Sequence, residues 1–428
     1  MLKLNNPIVK TLLGLAIVIA ISVGLLQVDD DLEVEAEQYL SLAEPEKSSD
    51  AYLYLLGIMA DKGDSPLVYG KEIFKEVRKA EEDYFKSGDV PNPYSYPYPE
   101  DTNIEKPVGN NICSSWNSDC FEQRFSKTYD LDALLKKHKT LMGRYIKLMS
   151  MNDYHTLTKS SYFEPFPNYL YVVQISQLYI LKAINKANNN DVNAAFNVLI
   201  DNIALLRNQL KQVDTLLGKL IYLLQISDNL DVLSIIMNEA TYVPNYTFEL
   251  LSLEERDFSV LMPREFALQY DFMRLGMYAN ESGLVNWPDW MQKTVLKRNM
   301  TMNALYRNQK RTVELARLTQ IDFSKAMNHS SSSYIETSYV RNVMGSMLNK
   351  ISEPQYNQSV GQLFDLNAKI ILMNAIISNG ANEIKPQNIQ NPYYPNGETA
   401  YFSEDKKSLC LNGPLKDSRM LRCLRIKR

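Results

Sequence analysis

The chain has 428 residues, of which 45% are hydrophobic and 22% charged, the balance of a folded globular protein and not of a disordered one. Its formal net charge of −4 lacks the basic surplus of a nucleic-acid-binding protein, so no nucleic-acid partner is expected. Tyrosine outnumbers glycine 27 to 16, which favours packed helices over glycine-rich catalytic loops.

Residues 1–10 carry Lys3 and Lys10 and read as a short cytoplasmic tip. Residues 11–28, TLLGLAIVIAISVGLLQV, are uninterrupted by charge. A run of this kind approaches the roughly 17–25 residues that cross a bilayer as a helix, so a transmembrane anchor is expected, with the membrane as a partner. Asp29, Asp30, Asp31, Glu33, Glu35 and Glu37 follow it. The positive flank stays inside, which places the rest of the chain in the periplasm and the protein in the inner membrane as a single-pass species. The competing reading is a cleaved signal peptide. Ala20 and Ser22 offer a small-x-small site, but Ile21 and the apolar continuation Val23 to Val28 make it a poor one. Residues 29–45 read as an acidic stalk.

Residues 46–384 read as a helical exported body. Asp50 is expected to cap a helix over AYLYLLGIMA, and Asp64 or Ser65 a second one with Pro66 in its first turn. Gly88 is expected to close that second helix, and the proline- and tyrosine-rich stretch 89–112 reads as an extended excursion. After Asp130, the residues Leu131, Leu134, Leu135, His138, Leu141, Met142, Tyr145 and Leu148 form one helical stripe. Two arms, Asn168 to Ala187 and Val192 to Lys211, flank the turn Asn188 to Asp191 and must pack antiparallel. Further helices are expected from Asp214, over Leu230 to Ala240, from Pro263, from about Asp289 toward Phe323, over Ser338 to Lys350 and over Val360 to Ser378. Residues 385–428 read as a small β tail: AYF and SLCL form a hairpin around Ser403 to Lys406, and Arg422 to Lys427 a third strand.

The four cysteines fall into two close pairs, Cys113 with Cys120 and Cys410 with Cys423. Disulfides are the default in an exported chain. Alternation along SLCL and RCLRI puts Cys410 and Cys423 on one face, as a cross-strand bridge needs.

The pair YLYVVQISQLYILKAINKANNNDVNAAFNVLIDNIALLRNQL resembles a single tetratricopeptide-type helical hairpin, with Ala194 and Ala195 early in its second helix. The layout of an N-terminal anchor, a helical body with DTLLGKLI (Asp214 to Ile221) and a tail like NPYYPNGETAYFSEDKKSLCL is similar to a family of uncharacterised proteobacterial envelope proteins. The resemblance implies topology and fold. It implies no catalytic residue.

Chemical motifs are sparse. There are three histidines, His138, His155 and His329, and no H-E-x-x-H. His138 lies on the apolar stripe, and the other two are expected in solvated polar loops. The sequences G-x-S-x-G, G-x-x-x-x-G-K-[ST] and G-x-G-x-x-G do not occur. The S-x-x-K match at Ser403 to Lys406 falls in an expected hairpin turn. Glu265 shares a helical face with Leu268, Phe272 and Leu275, and is the candidate catalytic residue: an inward carboxyl with a raised pKa. Glu254, Glu255 or Asp257 would supply the second group of a two-carboxylate hydrolase. The alternative role for Glu265 is a first-turn helix-dipole contact paired with Arg264 or Arg274. Trp287 and Trp290 suit stacking on a sugar, a membrane interface or packing at a helix start. The YSYPYP run, Tyr94 to Pro99, suits a partner-docking strap or a cover for the helical body. The group Arg419, Arg422, Arg425, Lys427 and Arg428 suits contact with anionic lipid, but its interleaving with core-type residues reads as a solvated strand face. N-x-[ST] sequons stand at Asn245, Asn280, Asn299, Asn328 and Asn357, and matter only in a eukaryotic host. No cofactor or metal is expected.

The sequence thus predicts a mainly all-α fold: a multi-helix body with antiparallel hairpins, a small C-terminal β-hairpin element and one N-terminal transmembrane helix. The function expected is a membrane-anchored scaffold with an envelope protein partner. The alternatives are an envelope-polymer hydrolase or lyase using Glu265, and a lipid or small-ligand binder.

Overall fold

The structure is a computed structural model that describes residues 7–45, 47–87, 104, 124–125, 130–161, 163–238, 246–274, 287–329, 341–379 and 384–426. It is mainly helical with one small antiparallel sheet, as the sequence predicts. The expectations about Cys113, Cys120 and the YSYPYP run lie outside the described residues.

The helices are α1 (Pro7–Gln27), α2 (Val34–Ser41), α3 (Asp50–Leu56), α4 (Pro66–Ser87), α5 (Leu131–Lys137), α6 (Lys139–Met149), α7 (Tyr169–Asn188) and α8 (Val192–Gln212). They continue with α9 (Leu216–Asn238), α10 (Leu261–Arg274), α11 (Asp289–Val295), α12 (Arg298–Arg317), α13 (Gln320–His329) and α14 (Val343–Asn379). The strands are β1 (Tyr401–Phe402), β2 (Ser408–Cys410) and β3 (Cys423–Arg425), in the order β1-β2-β3.

The hairpin α7–α8 forms where the NNND turn reverses the chain. Asn190 takes φ 63°, a left-handed conformation that asparagine tolerates, and the Asp191 carboxylate accepts from the Ala194 N–H to cap α8. Fully buried Ala195 lets the two helices approach. At α3 the cap is Ser49, not Asp50: the Ser49 hydroxyl accepts from the Tyr52 N–H, and Asp50 is the first helical residue. The stripe after Asp130 bends at buried His138, which separates α5 from α6. The buried Arg144 on α6 donates to the carbonyls of Ile58, Ala60, Asp61 and Asp64, which folds the α3–α4 connection onto it.

Helix α9 is the hub and packs on α7, α8, α14 and β3. The sequence divides it in two, yet it runs unbroken for 23 residues. Its polar stretch Ser227–Asn229 is buried and satisfied internally: Asn202 donates to the Asn229 side chain at 3.0 Å, and Arg124 pairs with Asp228 at 3.0 Å. Helix α14 likewise joins the two expected last helices and continues through Pro354 for 37 residues, held between α12 and α9. The stretch from Asp289 is three helices, not one, and His329 closes the third with its Nδ1 on the Lys325 carbonyl at 2.7 Å.

Residues 29–45 are not a free stalk. Tyr39 on α2 packs edge-on against Phe266 and Tyr306, and Ala36 is fully buried. The C-terminal sheet also joins the main core. Leu409 pairs in register with Leu424, both are fully buried, and the Cys410–Cys423 disulfide bridges the adjacent register pair. The basic group of the tail is not a solvated face at Arg422, which is buried and pairs with Asp365 at 3.0 Å.

Candidate functional site

The residues around Glu265 converge on the first turn of α9. The chain leaves α8 at Val213 in an extended conformation, and the Thr215 hydroxyl then accepts from the Gly218 N–H at 3.3 Å to start α9. Gly218 is required there, because an added Cβ would stand 2.4 Å from Val213 Cγ2 and 2.6 Å from the Tyr169 hydroxyl. The carboxylate before this turn, Asp214, accepts from the Thr156 N–H and the Thr156 hydroxyl, both at 2.7 Å. The segment after α6 is therefore tied to the head of α9.

Arg264 reaches the same place from α10. It donates to the Glu164 carboxylate and to the Thr158 carbonyl, and its Nε stands 3.9 Å from Asp214. The Ser160 hydroxyl donates to the other Glu164 oxygen at 2.9 Å. The Tyr154 and Tyr169 hydroxyls share a hydrogen bond of 3.1 Å beside them. Together with Tyr52, Phe166 and Leu268 these groups surround a cavity of about 50 Å³, and Glu265 lines it.

Burial governs the electrostatics. It pushes the Glu164 carboxyl up to about 7, against the opposing pull of Arg264 and Ser160. Burial also raises Glu265, which the Leu216 backbone N–H at the start of α9 and Arg264 pull the other way. Burial works against the charge on Arg264, but Glu164 and Asp214 outweigh it and hold the guanidinium above its ordinary value. Tyr52 and Tyr154 are raised well above theirs by burial and stay protonated.

Glu265 thus faces inward beside Leu268, as the helical spacing predicts. Its expected companions are elsewhere. Glu255 pairs with Arg207 at 2.6 Å, Glu254 pairs with Lys211, and Asp257 accepts from the Ser259 hydroxyl at 2.6 Å. Their segment folds back on α8 and lines no part of this cavity. Arg274 is engaged by Asp271 at 2.8 Å on its own helix. The carboxylates that do stand with Glu265 are Glu164 and Asp214. Glu164 carries no sequence signal beyond its place in the EPFP stretch. Asp214 was legible only as the residue that opens the DTLLGKLI segment.

A carboxyl titrating near neutrality can exchange protons, yet these groups are spent on one another. The cavity has room for roughly three to five waters, at about 10–15 Å³ each, and none for a sugar ring. A larger cleft of about 380 Å³ lies between the end of α14 and residues 384–390, lined by Ile371, Ala375, Ile384 and Ile389 together with Lys385 and the amides of Asn379, Asn388 and Gln390. Among the described residues, no group of three or more His, Cys, Asp or Glu is placed to hold a metal ion. His155 is exposed, and the S-x-x-K match lies in the β1–β2 turn, where the Ser403 hydroxyl donates to Asp405 at 2.6 Å.

No family model matches this chain, and neither a curated protein nor a solved structure matches it.

Proposed function

We propose that the chain is a single-pass membrane protein whose helical body serves as a scaffold for another envelope protein on the outer side of the inner membrane. The observation that carries this reading is α1. Its uncharged part, Thr11–Gln27, is 17 residues, about 26 Å at 1.5 Å per residue, the short end of the helix lengths that cross the hydrocarbon. Its Leu12, Leu13, Leu15, Ile17, Val18, Ile21 and Leu25 are each more than half exposed. Leaving such side chains in water costs about 1.5–3 kcal/mol each, so a bilayer is the solvent that suits them. The charge step from Lys3 and Lys10 to the acidic run after Val28 supports export of the body.

A binding role is favoured over hydrolysis because the inward carboxylates are engaged by Arg264, Ser160 and Thr156 around a cavity far below the roughly 300 Å³ of a ligand pocket. The test is in-cell crosslinking of the full-length chain at native levels, read by mass spectrometry. One dominant envelope protein is expected; a chain that captures no protein contradicts the scaffold. The cleft between α14 and residues 384–390 supports a second reading, a small apolar ligand. Native mass spectrometry that finds only the bare chain removes it.

A further inference from the structure

The segment after α1 is hydrogen-bonded to the body, and this selects the surface that faces the bilayer. The Asp29 carboxylate accepts from the N–H groups of Asn299 and Met300 at 2.9 and 3.2 Å, at the start of α12. The Glu33 N–H donates to Asn303 at 2.9 Å. Arg341 donates to the Val28 carbonyl at 2.9 Å and pairs with Asp30 at 3.1 Å, which ties the chain just before α14 to the end of α1. The body is thus bonded directly to the end of α1.

Helix α11 packs on α1 and on α14. Among the described side chains of α1, Val23, Leu26 and Gln27 are half-buried, which puts its packing at the last two turns. That is the depth at which a spanning helix leaves the hydrocarbon. Around this point Trp287, Trp290, Met347 and Ile351 are 43%, 49%, 54% and 63% exposed. Met347 and Ile351 lie one turn apart on the same face of α14. Trp287 and Trp290 do not pack at the start of their helix as a core residue would. Lys293 and Lys350 stand exposed on the same two elements.

We propose that the body rests on the bilayer surface through α11 and the first turns of α14, with Trp287, Trp290, Met347 and Ile351 in the interfacial layer around the exit of α1. The proposal rests on the reading of α1 as an anchor. Indole rings favour the headgroup level because they are apolar with one polar edge. Exposed lysines beside them suit the lipid phosphates. The occupant of this apolar face is thus phospholipid of the same membrane.

The chain has 3 tryptophans, so Trp116→Phe with Trp287→Phe leaves Trp290 as the sole emitter. The full-length variant is reconstituted in phosphatidylcholine–phosphatidylglycerol vesicles, with acyl chains brominated near the headgroup or unbrominated. Trp290 emission is expected to fall about 2-fold in the brominated vesicles. A control lacking all three native tryptophans and carrying Val68→Trp, an exposed position on α4, is expected to keep its emission. If the chain floats with the vesicles while Trp290 is unaffected by bromine, a second copy or solvent covers this face, and the proposal is overturned with the anchor intact. If the chain does not float, the anchor reading fails and takes this inference with it.

Discussion

Helices α1 and α9 are built from much the same side chains and end in opposite surroundings. The apolar stretch of α9, Leu216–Met237, is long and apolar enough to cross a membrane by composition, yet 83% of its most apolar window is buried inside the body. What separates the two is their charges and who answers them. Helix α9 carries Lys219, which donates to the Leu210 and Asp257 carbonyls, Asp228, which pairs with Arg124, and Asp231, which pairs with Lys369 at 2.7 Å. Each charge docks α9 to another part of the fold. Between Thr11 and Gln27, α1 carries no charge, and its described side chains before Val23 are exposed. Apolarity drives both helices out of water, and matched polar groups decide that one of them enters a protein interior.

That contrast is sharpest under a charge insertion. Leu230 is fully buried on α9, and Leu230→Asp is expected to destabilise the body by more than about 4 kcal/mol, read as loss of the cooperative melt. The same change on α1, Leu15→Asp, is expected to leave the melt in place and to weaken membrane retention by roughly 3 kcal/mol. Equal effects of the two on the melt would erase the distinction.

The head of α9 is next in size. Arg264→Ala leaves Glu164 and Asp214 buried beside one another and is expected to cost about 3–5 kcal/mol in chemical denaturation. The loss is expected to shrink in Arg264→Ala/Glu164→Gln, because one of the two carboxyls left without the guanidinium is removed. Equal losses would show that packing alone is at stake.

The pH dependence follows from two carboxyls. Burial pushes Glu164 from 4.5 and Asp365 from 3.8 up to about 7 in the fold. Between those limits the native state holds protons that the unfolded chain has released. Stability is therefore highest at the acid end of this window and falls as pH rises toward 7. Glu164→Gln and Asp365→Asn are expected to flatten the curve; stability that climbs from pH 5 to 8 would contradict these assignments. The smallest effect is at Gly218, where Gly218→Ala is expected to cost about 1–3 kcal/mol through the displaced Val213 and Tyr169 side chains.

Local signals in the sequence were strong where the chain answers to itself. The NNND turn, the Asp191 cap and the alternation around Cys410 and Cys423 gave the hairpin and the sheet register. They failed where a distant partner decides. Ser227–Asn229 reads as a break in α9, because the partners that bury it, Asn202 and Arg124, are remote in sequence. Pro354 and its polar neighbours read as a break in α14, but packing between α12 and α9 carries the helix through. The acidic run after Val28 reads as a stalk, because Asn299, Met300, Arg307 and Arg341 lie some 270 positions or more away. The inward aim of Glu265 was legible from spacing on one helix. Its true companions, Glu164 and Asp214, come from other elements and were not.

The central claim is that α1 holds the body on the outer face of the inner membrane. Protease added to intact spheroplasts making the full-length chain, with a tag before Met1, tests it directly. The account predicts loss of the body and survival of a short tagged fragment ending near the last turn of α1. A full-length chain protected until the membrane is broken would contradict it.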